Sequence, residues 1–432
     1  MKMTPIFLIL FLPVLPVLLN TLIFPCTGIN VTKNGKTLFG NNEDYYTRYT
    51  YVIDFIPAAT GKYGRTYWRQ SDSQWVQGGM NDQGLCFDGF GTPDANITFS
   101  PEKLPYRGDL VEKIMEECAT VEEAIYIINR YRFDRLQELG QFIFVDKTGD
   151  SVIVGGRNEE NDVDVIRKHK NYQVVTNFFI SRPELGNYPC WRYDRAEAML
   201  EENDDATIEN LRSLLDAVHF SSNASAPTLY SNICDLQNGL IYLYKMHNFQ
   251  EFIIINLEEE LQKGAHTYVI NEIFSDVRLI SPTSGETVNQ GSVTFRWEGK
   301  TNSRYQLSYC TNPDFTDCAS SEVGNRYSFA QSGTGIGFLF AALFYLGITV
   351  STRKRSFPKF IIPFLMLFLL VSCQPNEDNN GITPSGEVGE VGEISATIDN
   401  LQAGTTYYWK VTANATDNFT SETIVETFTT AD

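Results

Sequence analysis

The sequence predicts an α+β fold of stacked antiparallel sheets with helices outside them, followed by an all-β sandwich. Two observations carry this. Strand-like and helical runs follow one another as strands, helices, strands instead of alternating strictly. From about Leu279 onward, short strands separated by turn residues replace helical spacing altogether. The chain has 432 residues, 43% hydrophobic and 13% aromatic, enough for two cored units plus accessory segments.

The first element is a hairpin, TGINVTK and KTLFGNN, joined across Asn34-Gly35, a dipeptide that supplies the positive φ angles of a tight two-residue turn. Strands are expected at Tyr51 to Ile56, Trp75 to Gly79 and Gly84 to Phe90. Helical spacing holds from Asp109 to Arg132, restarted by a capping box of Thr120 with Glu123. QFIFVD and SVIVGG flank the turn KTGD. Further strands are expected near Val163 to Arg167 and Tyr172 to Thr176, then helices from Arg192 and Ile208. Thr228 to Cys234, Leu240 to Tyr244 and Glu251 to Ile255 close the region as strands.

Residues 1–25 read as an export leader, with Lys2 before an apolar run from Pro5 to Phe24; an uncleaved membrane anchor is the alternative. Export makes an extracellular, periplasmic or outer-surface location the expectation. Two further apolar runs, 335–351 and 360–372, are separated by Arg353, Lys354, Arg355 and Lys359. The 335–373 segment reads either as a membrane hairpin with its basic loop on the cytoplasmic side or as a lipoprotein-type signal ending at Cys373, and a misassembled reading frame also fits. A net charge of −19 excludes a nucleic-acid partner, which would need clustered Lys and Arg. The four histidines, His169, His219, His247 and His266, form no ligand pair, so a metal is not expected, and chemistry at Cys26 needs no cofactor. Cys310 and Cys318, on either side of TNPDFTD, are the candidate disulfide.

Among the remaining cysteines, Cys26 has an option the others lack. If it became residue one, its own α-amine could take the thiol proton. CTGI at Cys26 and FGNNED at Phe39 to Asp44 resemble the start of choloylglycine hydrolases, penicillin V acylases and acid-ceramidase-like enzymes. GGMNDQGLCFDGF at Gly78 to Phe90, VTN at Val175 to Asn177 and TLYSNICDLQNGLIYLY at Thr228 to Tyr244 resemble later segments of that family in the same order. The resemblance covers Cys26 to about Leu261.

It implies a four-layer αββα Ntn-hydrolase sandwich over residues 26–270, cutting a linear amide C–N bond of an N-acyl amide, bile-salt-like or penicillin-V-like substrate. It further implies Cys26 as nucleophile, Asp44 as the acid orienting its amine and thiol, Asn177 as oxyanion donor and Arg192 as the nearby arginine, with Arg195 the rival. Asn41 stands where bile-salt hydrolases carry an Arg. Gly91 stands where they place an oxyanion Asn, so a backbone N–H or another group, with Asn41 and Asn42 as secondary candidates, must serve. Pro25 before Cys26 suits self-processing, as in acid-ceramidase-like enzymes, better than a signal peptidase. Acyl transfer to an amine is open to the same residues. A membrane-anchored binding protein with a degenerate hydrolase domain is the rival class, kept open by Asn41 and Gly91.

Residues 279–324 and 388–430 resemble two halves of one fibronectin type III domain, with Trp297 and Tyr407 or Tyr408 matching its common aromatics. The 335–373 segment is then an insertion between the halves.

Overall fold

Strand pairing in the first region follows from residues that are buried on both faces. The computed structural model describes residues 25–93, 98–137, 140–155, 163–221, 224–301, 303–316, 318–324, 391–414 and 419–432. The expected leader up to residue 24 and the 335–373 insertion with Cys373 lie outside the described residues. The protein is mostly β-sheet, with five α-helices among the described residues.

In chain order the first region holds β1 (Thr27–Lys33), β2 (Lys36–Asp44), β3 (Tyr51–Ile56), β4 (Arg65–Gln70), β5 (Gly78–Asn81), β6 (Leu85–Gly91), α1 (Leu110–Glu117), α2 (Val121–Arg130), β7 (Gly140–Asp146), β8 (Ser151–Gly155), β9 (Asp164–Arg167), β10 (Tyr172–Val175), α3 (Trp191–Glu202), α4 (Ile208–Ala217), β11 (Thr228–Asp235), β12 (Leu240–Lys245), β13 (Glu251–Asn256), α5 (Leu257–Gln262) and β14 (His266–Val269). One sheet runs β10-β1-β2-β11-β12-β13 and a second runs β14-β3-β4-β5-β6-β7-β8-β9. All pairings within these two runs are antiparallel.

Period-two alternation sorts the side chains. Ile143 and Val145 of β7 join Phe39, Ile53, Phe55, Trp68, Ile241 and Ile253 in a core between the two sheets. Phe142 and Phe144, pointing the other way, pack with Leu110, Val111 and Ile114 of α1 and Val121, Ala124 and Ile128 of α2. On the outer face of the first sheet, Ile29, Val31 and Leu38 pack with Ala196 and Leu200 of α3 and Leu211, Leu214 and Leu215 of α4. Burying each such leucine is worth about 2 kcal/mol.

The helical stretch expected over Asp109 to Arg132, with its restart at Thr120, forms α1 and α2. Asp109 caps α1 through the Val111 N–H, and the Thr120–Glu123 capping box starts α2. The strand expected at Trp75 to Gly79 is shifted: β5 begins at Gly78 and Trp75 is exposed, while β4, α5 and β14 had no signal recognised in the sequence.

After residue 277 follow β15 (Arg278–Ser281), β16 (Glu286–Val288), β17 (Gly291–Lys300), β18 (Arg304–Cys310), β19 (Ala319–Gly324), β20 (Val391–Leu401), β21 (Thr406–Asn414), β22 (Thr420–Thr423) and β23 (Glu426–Thr430). β17 pairs with β20 and β18 with β21, so strands before residue 324 and from residue 391 onward share hydrogen bonds. Phe295, Trp297, Tyr407, Trp409 and Phe428 are buried together, and the Tyr407 hydroxyl accepts the Gln402 N–H at 2.9 Å. Cys310 and Cys318 are disulfide-bonded. β13 also pairs with β22, Glu251 opposite Thr423 and Ile253 opposite Ser421, so the first sheet continues into this region. Among the described residues no helix is long and apolar enough to cross a membrane.

Candidate active site

Cys26 immediately precedes β1, which is held between β2 and β10 and therefore cannot shift without breaking two ladders. Asn177 follows the end of β10 by two residues, and the Cys26 N–H donates to its Oδ1 at 2.6 Å. Arg192, in the first turn of α3, donates to the Cys26 carbonyl oxygen, to Thr27 Oγ1 at 2.7 Å and to Asn177 Oδ1 at 3.0 Å. Three expected residues spanning 166 positions thus meet at one buried point. Arg195, the rival to Arg192, is exposed.

Alternation along β2 splits the acidic pair at its end. Asp44 points toward the helix layer, where its Oδ1 accepts from Thr228 Oγ1, and its Oδ2 has no hydrogen-bond partner. Thr228 Oγ1 in turn accepts the Phe220 N–H at 2.9 Å. The side-chain contact to the Cys26 thiol comes from Glu43, which the sequence reading did not single out. Sγ lies 3.8 Å from Glu43 Oε2, and the Tyr51 hydroxyl donates to Glu43 Oε1 at 3.1 Å. Gln70 Nε2 donates to Tyr51 at 3.2 Å, continuing the chain. The signal for Glu43 lay in the period of two: Phe39, Asn41 and Glu43 share the inter-sheet face with Cys26, whereas Gly40, Asn42 and Asp44 share the other.

The secondary candidates are placed as follows. Asn42 faces α4, donating to Leu215 O at 2.9 Å and accepting from Ser231 at 2.7 Å. Asn41 leans toward Glu43, but neither of its amide atoms closes a well-formed hydrogen bond. Gly91 contributes its carbonyl, which accepts from Asn177 Nδ2 at 2.9 Å.

Burial dominates the electrostatics. It pushes the Cys26 thiol well above its usual value, and the charges of Glu43 and Asp44 push the same way. Burial raises Glu43 to about 7, against the opposing hydrogen bonds from Tyr51 and Cys26. Asp44 is raised by burial and pulled back by the Arg192 charge, and Asp88, bound to Trp68 Nε1 at 3.2 Å, is raised by burial and by Glu43. Among the described residues no three His, Cys, Asp or Glu side chains gather so as to hold a metal. The constellation is a buried thiol with a carboxylate beside it and a guanidinium and carboxamide on its backbone.

The sequence matches no protein-family model and no curated protein. Among solved structures, the chain is similar to a mutant conjugated bile acid hydrolase from Clostridium perfringens at 17% identity, over 56% of this chain and 96% of that one, with a TM-score of 0.43. It is also similar to penicillin V acylase from Agrobacterium tumefaciens at 16% identity, over 51% of this chain and 82% of that one, with a TM-score of 0.41. At TM-scores of this size the likeness decides neither fold nor chemistry, which rest on the side chains themselves.

Proposed function

We propose that this protein is a hydrolase of linear, non-peptide amide C–N bonds, with Cys26 acting as an N-terminal nucleophile once residues 1–25 are removed. The observation that carries the reading is at the Cys26 nitrogen. The atom that cleavage would turn into an α-amine is held at 2.6 Å by Asn177 and flanked by Arg192. An amine there, with an ordinary pKa near 8, is a suitable base for the adjacent thiol. Two sheets with a shared core and a helix layer on each outer face are what an αββα Ntn-hydrolase requires, and the region after residue 277 is assigned to an immunoglobulin-like sandwich of the fibronectin type III kind.

In the proposed cycle the thiol proton passes to the α-amine as Sγ bonds to the substrate carbonyl carbon and the carbonyl electrons move to oxygen. The Asn177 side-chain amide, which donates to the Gly91 carbonyl, is the group assigned to that oxyanion. Collapse breaks the C–N bond, and the leaving amine takes the proton. Water then attacks the thioester, the α-amine again receiving a proton, and carboxylic acid and thiol are released. An acceptor amine in place of water would give acyl transfer by the same residues. We assign the protein to the exported compartment, held at a membrane through 335–373, and its partner to a small N-acyl amide.

Cys26→Ser tests the reading. It should lose nearly all amide hydrolysis with the fold intact, because a serine hydroxyl stays protonated beside so weak a base. The panel should include phenoxyacetyl, bile-acid and long-chain fatty acyl amides. A correctly processed wild type that turns over none of them, and whose Cys26 resists a thiol-directed acylating reagent, would make a binding role the better reading.

A further inference from the structure

We propose that Glu43 is the proton acceptor for self-cleavage of the Pro25–Cys26 bond, the step that creates the N-terminal nucleophile. The inference rests on the reading that Cys26 becomes residue one. It addresses what that reading leaves unsolved. Before cleavage the Cys26 nitrogen is an amide, already donating to Asn177, and an amide nitrogen has no basicity to offer the thiol. Another base must act first.

The geometry singles out Glu43. Its Oε2 is 3.8 Å from Sγ, and the Tyr51 hydroxyl holds its other oxygen at 3.1 Å, leaving Oε2 turned toward the thiol. The other nearby carboxylates are directed elsewhere. Asp44 accepts from Thr228 on the opposite face of β2, and Asp88 accepts from Trp68 Nε1 and the Gly89 N–H. Arg192 is a cation bound to the Cys26 carbonyl and cannot take a proton. With its value raised to about 7 by burial, Glu43 is also a better base than an ordinary carboxylate while still ionised in part near neutral pH.

The step balances within the chain. Sγ loses its proton to Glu43 and bonds to the Pro25 carbonyl carbon through a five-membered ring, the carbonyl electrons moving to oxygen. As the ring opens, the C–N bond breaks and Glu43 returns the proton to the Cys26 nitrogen. A thioester between Pro25 and Sγ remains beside a free α-amine. Water hydrolyses it, leaving a carboxylate on Pro25 and a free thiol, and the amine takes over as base.

The test is synthesis of the full chain in a membrane-free translation system with detergent micelles, following loss of residues 1–25 by mass spectrometry across pH 5 to 9. Wild type should self-cleave at a rate that rises through pH about 7. E43Q should cleave at least about 100-fold more slowly, with an unchanged circular dichroism spectrum. Y51F removes a hydrogen bond that stabilises ionised Glu43, so its rate profile should move to higher pH without disappearing. That is a displacement no merely structural defect produces. Cleavage of E43Q at the wild-type rate, or a Y51F profile that does not move, overturns the role of Glu43. Cleavage of C26A at the same bond shows another protease at work and overturns self-cleavage, while amide hydrolysis by the processed chain stays as proposed. Self-cleavage without turnover of any N-acyl amide has the opposite meaning: Glu43 acts as inferred and the proposed function fails.

Discussion

Arg192 makes the most demanding set of contacts around Cys26, because its guanidinium is buried and serves three acceptors at once. Removing it leaves Asp44 buried, with one oxygen lacking a partner and its nearest cation gone. Arg192→Ala should therefore cost about 3 to 5 kcal/mol, and Asp44→Asn in the same chain should recover part of that loss, as read from denaturant midpoints. Asn177→Ala is expected to differ. Under its proposed role as oxyanion donor, its loss should lower kcat/KM by about 10² to 10³ with a smaller effect on stability. Equal losses of activity and fold on Asn177→Ala would assign it a structural role instead.

The elements that carry these side chains are packed too closely to move independently. Gly28 in β1 is one such constraint: a Cβ there would sit 2.6 Å from Phe90 and 2.9 Å from Val175. Gly28→Ala should cost about 1 to 3 kcal/mol, and it should lower the proposed activity as well, since β1 must yield two residues from Cys26. Thr120→Ala at the α2 capping box is the control. It should cost about 1 kcal/mol and leave turnover unchanged, because α2 packs on the outer face of the other sheet.

At the scale of the whole molecule, buried carboxyl groups make stability depend on pH in an unusual direction. Glu43 and Glu251 are both raised by burial to about 7 from an ordinary 4.5. Each contributes stability that is complete below pH 4.5 and is lost as pH rises through about 7, up to about 3 kcal/mol per group. The thermal midpoint should fall between pH 5 and 8, and Glu43→Gln should flatten that slope; a midpoint rising over the same range would contradict the assignment. Glu251 also ties the two strand-rich regions together, accepting from the Ser275 and Val277 N–H groups at 2.9 and 2.8 Å at the start of β13, which pairs with β22. Removing residues 279–432 would leave β13 as an open edge bearing Ile253 and Ile255, so the truncated protein should self-associate in light scattering.

Much of the first region was legible because its signals are local. Asn34-Gly35, the Thr120 and Glu123 box and the alternation in QFIFVD each act through neighbours a few residues away, and the motif order around Cys26 drew attention to Asn177 and Arg192. What lay beyond the sequence depends on faces and distances. Whether Glu43 or Asp44 reaches the thiol is decided by which side of β2 each occupies once β11 and α4 are in place. The Arg192 and Arg195 alternatives separate only when α3 docks and buries one while exposing the other. The raised values at Glu43 and Cys26 arise from the meeting of two sheets, and the continuation of one sheet from β13 into β22 joins residues some 170 positions apart. By itself the sequence determined most strands of the first region and drew attention to Cys26 among its cysteines. Tertiary packing decided which carboxylate lies beside its thiol, because burial and side-chain direction belong to the assembled layers and not to any segment of the chain.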